Sequence, residues 1–375
     1  MSGPADDSFR ITLQPMTANT HTFKAESLIS AIEAIAAAGG SDAREARLVG
    51  ENLVTANLTG HDSHGVGMIP RYVESLLEGG LFPNRHPVMK FDGGALIALD
   101  GEAGYGQVIG LEATDMAIGR ARQHGVCVMA LANSHHLCRI GQWAEQAVEQ
   151  GLISLSFTNV ISRSIVAPFG GSDARFGTNP VTIGIPLPDQ PPFILDMATS
   201  GVAQGKVRVA HNKGEKLAPG LLIDDHGRPT TDPRFGVVDP FGALTTFGLH
   251  KGYGLAVVCE LLGGALTGGG TWHTDDRTKR RVLNGMLSIL IDPQRLGTAP
   301  QFAHEAAEFV SWVKQSPPAE GTDRVRIAGD PERETKAKRL AQGIPVDATT
   351  WKEILAAGVK LGLEQATIQR IADGA

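Results

Sequence analysis

Three histidine-bearing stretches hold the groups in this sequence best suited to moving a proton and binding an anion. GHDSHGVGMIPRY, Gly60 to Tyr72, places His61, Asp62, Ser63 and His64 between glycines. An imidazole titrates near neutral pH and can give or take a proton in a reaction. The same residues also read as an ordinary helix start, with Asp62 or Ser63 as cap and the histidines solvated. NSHHLCRIG, Asn133 to Gly141, follows an apolar run and precedes a helical one, and loops after strand ends are where α/β proteins keep their sites. There His135 and His136 add polar chemistry, and Arg139 with the N–H groups of the next helix could meet a phosphate. HKGYG puts His250 and Lys251 at a helix start, where cations oppose the helix dipole unless an anion lies between them. FGTNP, with Thr178 and Asn179, and LDMATS, with Asp196, Met197, Ala198 and Thr199, end two further apolar runs. The Asp196 carboxylate could accept from two sugar hydroxyls, while Thr199 and Ser200 could equally cap a helix. His61 and His64 are spaced i, i+3, but no third ligand has telling spacing, so no metal site is expected.

The elements that must position these groups follow from hydrophobic period. From His21, Leu28, Ala31, Ile32 and Ile35 recur at helical spacing until Gly39-Gly40. Ser41 is a good N-cap for a second helix carrying Ala46, Val49 and Leu53, and a third runs from Ile69 to Gly79-Gly80. Strands are expected at 94–100, 125–134, 152–160, 181–186, 192–198 and 286–293, with helices at 107–124 and 139–150 between the first three. That alternation predicts an α/β core with some parallel pairing. Residues 203–247 are turn-rich, 252–266 read as a buried central helix because they are apolar almost all round, and helices return after Gln301, the last over 346–363.

GEAGYGQVIG, 101 to 110, also follows a strand and opens a helix. Its glycines are spaced GxGxxxG, one residue too long for a dinucleotide fingerprint, and no carboxylate ends the following strand. The stretch reads as a tight turn, and a Rossmann fold is rejected.

At 375 residues the chain exceeds a single ordinary domain of roughly 150. A net charge of −6 gives no reason to expect nucleic acid or an anionic membrane as partner. Cys127, Cys138 and Cys259 are odd in number and widely spaced, so no disulfide framework is indicated. With no apolar leader or membrane-length run, a cytoplasmic location is expected.

Taken together and in order, DSHGVGMIPRY, NSHHLCRIG, VAPFGG, FGTNP, DMATS, GRPTTDP, HKGYGLA and QGIPVD resemble the type-2 malate/L-lactate dehydrogenase family. The likeness runs from about residue 22 to 363. It implies a three-layer α/β/α domain with a mixed seven-stranded, non-Rossmann sheet of the sulfolactate dehydrogenase type, plus a helical part formed by both chain ends. The implied division is a loose tail over 1–20, N-terminal helices over 21–90, the α/β cofactor domain over 91–300 and C-terminal helices over 301–375. It further implies a homodimer that uses NAD or NADP on a small 2-oxo or 2-hydroxy acid, with malate, lactate, ureidoglycolate and cyclic imine acids among the substrates of relatives. Carried over by position, His64 is the acid/base, Ser63 its relay neighbour, and His136 a competitor for the proton role that also touches substrate with Asn179. His64, Cys138, Arg139, Ile140, Thr178, Asp196, Met197, Ala198, Thr199, His250 and Lys251 are the implied cofactor contacts, with Gly329, Asp330 and Glu332 of the GDPE stretch. Many relatives carry arginine where Met68 stands, and some carry aspartate where Lys206 stands. Met68 in place of a bidentate carboxylate clamp suits a larger, phenylpyruvate-like acid. Arg71 could restore the charge, although it lies on a different helical azimuth.

Overall fold

The computed structural model describes residues 20–274 and 281–374, so the expected tail lies almost wholly outside the described residues. A strand, β1 (Thr20–Phe23), precedes the helices α1 (Ala25–Ala38) and α2 (Ala43–Leu58). Two single 3-10 turns, Asp62–His64 and Val66–Met68, lead into α3 (Ile69–Leu77). Then come β2 (Val88–Asp92), β3 (Leu96–Asp100), α4 (Gly106–His124), β4 (Val126–His135), α5 (Gly141–Glu149), β5 (Ile153–Ile161), β6 (Val181–Ile185) and β7 (Phe193–Met197). The turn-rich section holds α6 (Gln204–Lys213), β8 (Leu222–Ile223), β9 (Pro229–Thr230), α7 (Arg234–Val237) and β10 (Ala243–Leu244). α8 (His250–Val258) continues as a π-helical segment, Cys259–Ala265, before β11 (Leu283–Ile291), α9 (Ala299–Lys314), α10 (Asp330–Gln342), β12 (Ile344–Asp347), α11 (Ala348–Lys360) and α12 (Gln365–Ala372).

The main sheet is seven-stranded and mixed, in the order β2-β3-β4-β11-β5-β6-β7. Only β3 and β4 run parallel, because only they are joined by a helical crossover, α4; the other neighbours pair antiparallel. One face is covered by α4 and α5, whose Ile109, Ala113, Ala117, Trp143 and Ala147 pack with Leu99, Met129, Leu131 and Met286 of the strands. The π-helical segment packs on β5 and β11. Gly106 is required because a Cβ there would lie 2.1 Å from the His136 carbonyl oxygen, so the glycine lets α4 pack onto the end of β4.

A second core joins the two ends of the chain. Leu28, Ile32 and Ile35 of α1, Leu53 of α2 and Tyr72 of α3 pack with Trp351 and Ile354 of α11 and Ile368 of α12. The helix expected from His21 begins instead at Ala25, because His21 and Phe23 pair antiparallel with Val346 and Ile344 of β12. The Phe23 ring then lies 4.5 Å from that of Trp351. α2 is capped by Asp42, whose carboxylate accepts from the Glu45 N–H at 2.7 Å; Ser41, the expected cap, bonds the Glu45 side chain instead. The 252–266 stretch is not the buried central helix its composition predicts: Leu261 and Leu266 are 56% and 62% exposed. Among the described residues no helix is long and apolar enough to cross a membrane, and all three cysteines are free and buried.

Candidate functional site

His64 closes the first 3-10 turn, and the turn is held from behind. Asp62 accepts from Asn57 Nδ2 at 2.7 Å and from both terminal nitrogens of Arg339, on α10, at 2.6 and 3.0 Å. The cap expected of Asp62 is thus a clamp between the two ends of the chain. His61 faces Glu332 at 3.4 Å, which brings the GDPE stretch to the same turn. Burial raises the Glu332 carboxyl, but His61 and Arg139 outweigh it and hold the group below its ordinary value.

His64 stacks on His136, their ring centroids 5.6 Å apart and their planes 16° from parallel. Each ring is fixed through Nδ1. His64 meets the Ser63 hydroxyl at 3.0 Å, and His136 meets the Tyr72 hydroxyl at 2.8 Å. Gln107 Nε2 donates to that Tyr72 oxygen at 2.9 Å. Where the phenolic proton points at His136 Nδ1, that ring carries its own proton on Nε2. Burial pushes His64 down to about 4, against the pull of Asp196, and drives His136 well below the imidazole range with His64 and His135 beside it. Burial thus favours the neutral form of both rings. His135, the preceding residue, is fully buried and lies edge-on to Tyr72, with neither ring nitrogen partnered among the described residues.

At the strand end beyond these rings, Cys138 adopts φ +64°, a conformation rare outside glycine, and its thiol donates to the His64 carbonyl at 2.8 Å. Arg139 is buried, ion-paired with Glu145, and its Nε has no partner among the described residues. Burial lowers the Arg139 guanidinium, yet Glu145 and Asp196 together hold it above its ordinary value. Asp196 caps α5 by accepting from Gly141 N–H at 2.8 Å and also accepts from Thr182 at 3.1 Å. Ile140 points into the core under α4 and α5, so any ligand contact there goes through its backbone.

The second group of expected residues sits at the far end of β7. Thr199 donates through N–H and hydroxyl to the Thr178 carbonyl at 2.9 and 3.0 Å. Phe247 N–H donates to Thr199 O, tying this corner to the start of α8, where His250 and Lys251 are exposed. Met197 and Ala198 are half-buried between the two groups. Asn179 is fully buried, and its amide is committed to Val160, Ala256 and Glu260, which leaves no side-chain group for the substrate contact expected of it. Asp330 pairs with Lys314 and Arg333, beside Gly329 at φ +95°. Met68 leans on the helical core, half-buried. Sequence reasoning missed Tyr72, Gln107 and Arg339 as partners of the site; of these only Tyr72, inside the GHDSHGVGMIPRY motif, carried any local signal. Among the described residues no cluster of three or more potential metal ligands forms.

With this geometry in hand, residues 23–355 match the family model described as malate/L-lactate dehydrogenase. The chain is 45% identical over 351 residues to hydroxycarboxylate dehydrogenase B of Escherichia coli K12, covering 93% of this chain and 97% of the relative. A solved Escherichia coli structure described as a malate/lactate dehydrogenase superposes with a TM-score of 0.89 at 44% identity, over 94% of this chain and 98% of that one. The sulfolactate dehydrogenase of Methanocaldococcus jannaschii superposes at 0.80 with 32% identity, over 92% and 99%. The chain belongs to the malate/L-lactate dehydrogenase family and is an oxidoreductase of the 2-hydroxy acid dehydrogenase and reductase class.

Proposed function

We propose that this chain reversibly reduces a 2-oxo acid to the 2-hydroxy acid with NADH or NADPH, phenylpyruvate-like acids being its substrates. The observation that carries the reading is the stacked His64–His136 pair, each ring engaged at Nδ1 and so offering Nε2 to a substrate oxygen. A dinucleotide fits the residues present. The unpartnered, buried Arg139 Nε and the exposed cations at the start of α8 suit an anionic group, and Asp196, Thr199 and Glu332 offer acceptors for its sugars. When bound, the nicotinamide supplies or takes the hydride.

The chain's own residues move the proton and hold the geometry. In the oxidative direction, neutral His64 takes the hydroxyl proton from the 2-hydroxy acid while Ser63 steadies Nδ1. In the reductive direction the same ring must first be protonated, and the carboxylate of the arriving 2-oxo acid favours that by placing an anion beside it. His136, with its proton on Nε2, donates a hydrogen bond to the substrate oxygen. Met68 presents a soft apolar surface in place of a carboxylate clamp. We further propose a homodimer, supported by Leu249, Leu261, Leu266, Phe309 and Trp312, each more than half exposed in the single chain; sedimentation velocity of the purified protein tests it, a monomer at micromolar concentration refuting it.

The test is cofactor oxidation with NADH and NADPH over pyruvate, phenylpyruvate, glyoxylate, 2-oxoglutarate and a cyclic imine acid. His64→Ala lowers turnover about 10²- to 10⁴-fold while cofactor fluorescence still reports binding. Full activity in that variant refutes the role, and a wild-type protein inert to every acid refutes the reading.

A further inference from the structure

His64 ends one 3-10 turn, Asp62–His64, and a second, Val66–Met68, starts just after it, the two meeting at Gly65. Their backbone bonds are local. His64 N–H donates to the His61 carbonyl at 2.9 Å, Gly65 N–H to that of Asp62 at 3.2 Å, and Met68 N–H to that of Gly65 at 3.0 Å. None of these three ties the first turn to the second. Single 3-10 turns are weakly bonded, and a glycine at the junction leaves the chain free to swivel. The angle between the turns, and with it the place of His64, must be fixed from outside.

Asn57, in the last turn of α2, does this with one buried amide. Its Nδ2 donates to the Asp62 carboxylate at 2.7 Å, and its Oδ1 accepts the Val66 N–H at 2.8 Å. Those partners stand two residues before His64 and two residues after it. The amide has a single workable orientation, since a flip would set its NH2 against the Val66 N–H and its oxygen against the carboxylate. Gly65 is shaped to the same contact: a Cβ there would lie 2.1 Å from Asn57 Oδ1. Asn57 is itself well anchored. Leu53 and Val54 seat α2 in the helical core, and the Asn57 carbonyl accepts from Gly60 N–H at 2.9 Å and from Arg339. Beyond His64, its carbonyl takes the thiol of Cys138, two residues past His136, at 2.8 Å. The main chain of His64 is thus held between α2 and the strand end that carries its partner ring.

We infer that Asn57 is a positioning residue of the proton-transfer site: by joining the two turns on either side of His64, its amide sets that ring in stacked register with His136. Among the described residues it bonds neither imidazole, so it acts only through the backbone it grips. This rests on the reductase reading above and adds the group that holds its acid/base in place. Proton transfer is steep in distance, and a misplacement of about 1 Å can cost on the order of 10²-fold in rate.

The test exchanges the two side chains. Asn57→Asp keeps an acceptor for Val66 but turns a second carboxylate on Asp62. Combining it with Asp62→Asn restores a donor to that bond from the other side and leaves an amide oxygen for Arg339. With the 2-oxo acid that the wild type reduces fastest, Asn57→Asp should lower kcat roughly tenfold or more. Its solvent deuterium isotope effect on kcat should grow, while NADH and NADPH, followed by their fluorescence, bind as in the wild type. The exchange variant should recover most of kcat and the original isotope effect. Asn57→Ala, which removes both bonds without adding charge, serves if Asn57→Asp does not fold. Unchanged kcat, cofactor binding lost together with kcat, or a loss that the exchange does not repair overturns the inference. Proton NMR of ring-labelled histidine supplies a readout independent of turnover: the contact between the His64 and His136 rings should weaken in Asn57→Asp and return in the exchange variant. That pattern in a protein inert to every 2-oxo acid keeps the role of Asn57 and refutes the reductase reading instead.

Discussion

His135 offers a quantitative test of how tightly the site is built. Its ring is fully buried, edge-on to Tyr72 with centroids 5.3 Å apart, and neither nitrogen has a partner among the described residues. Burial, with Arg71 nearby, pushes it down to about 3, far under the ordinary value of 6.5. The folded state therefore keeps this ring neutral where the unfolded chain protonates it. The stability this difference confers is fully present above about pH 6.5 and is lost as pH falls toward 3, at about 1.4 kcal/mol per unit. By pH 5 the loss from this one residue is about 2 kcal/mol. His135→Phe keeps a ring against Tyr72 but cannot take a proton. The difference in urea-unfolding free energy between wild type and variant, measured at pH 7.5 and pH 5, should shift by about 2 kcal/mol in favour of the variant as the pH drops. Any fixed packing penalty of the larger ring cancels in that comparison. A difference unchanged between the two pH values refutes the buried, neutral imidazole.

The Asp62–Arg339 clamp makes a kinetic prediction: Arg339→Met should lower kcat/KM roughly tenfold by loosening the His64 turn, and adding Asp62→Asn should lower it no further; losses that multiply would show the two residues act separately. The pH profile makes another. With free His64 near 4, kcat/KM for 2-oxo acid reduction should fall about tenfold per unit above roughly pH 5, while oxidation of the 2-hydroxy acid stays flat from pH 8 down to that point. A reduction profile level between pH 5 and 7 refutes the depressed value.

Much of this arrangement was legible in local sequence. The helical period of α1 and α2, the strands from 94 to 198 and the faulty glycine spacing at 101–110 all describe contacts made within a few residues, where pattern and structure share a cause. The motif order carried the family. What escaped was decided by partners distant in sequence. β1 is a strand only because Ile344–Asp347 lies beside it, and nothing in THTF announces that. Asp62 looked like a cap because its clamp, Arg339, is 277 residues away. The 252–266 stretch looked buried because apolar composition cannot separate a side chain packed on the sheet from one left at the surface of the single chain. Asn179 carried the right residue type, yet its neighbours Val160, Ala256 and Glu260 absorb the amide entirely.

The union of the two chain ends in one core also sets an order of events during synthesis. A ribosome adds about 5–20 residues per second. The 277 residues between Asp62 and Arg339 therefore separate the two halves of the clamp by roughly 14 to 55 seconds of translation. Throughout that interval α1, α2 and α3 exist without the apolar surface of Trp351, Ile354 and Ile368 that completes their core. The nascent chain carries Leu28, Ile32 and Leu53 without those C-terminal partners for tens of seconds. The His64 turn, though encoded early, gains its Arg339 clamp among the last parts of the molecule.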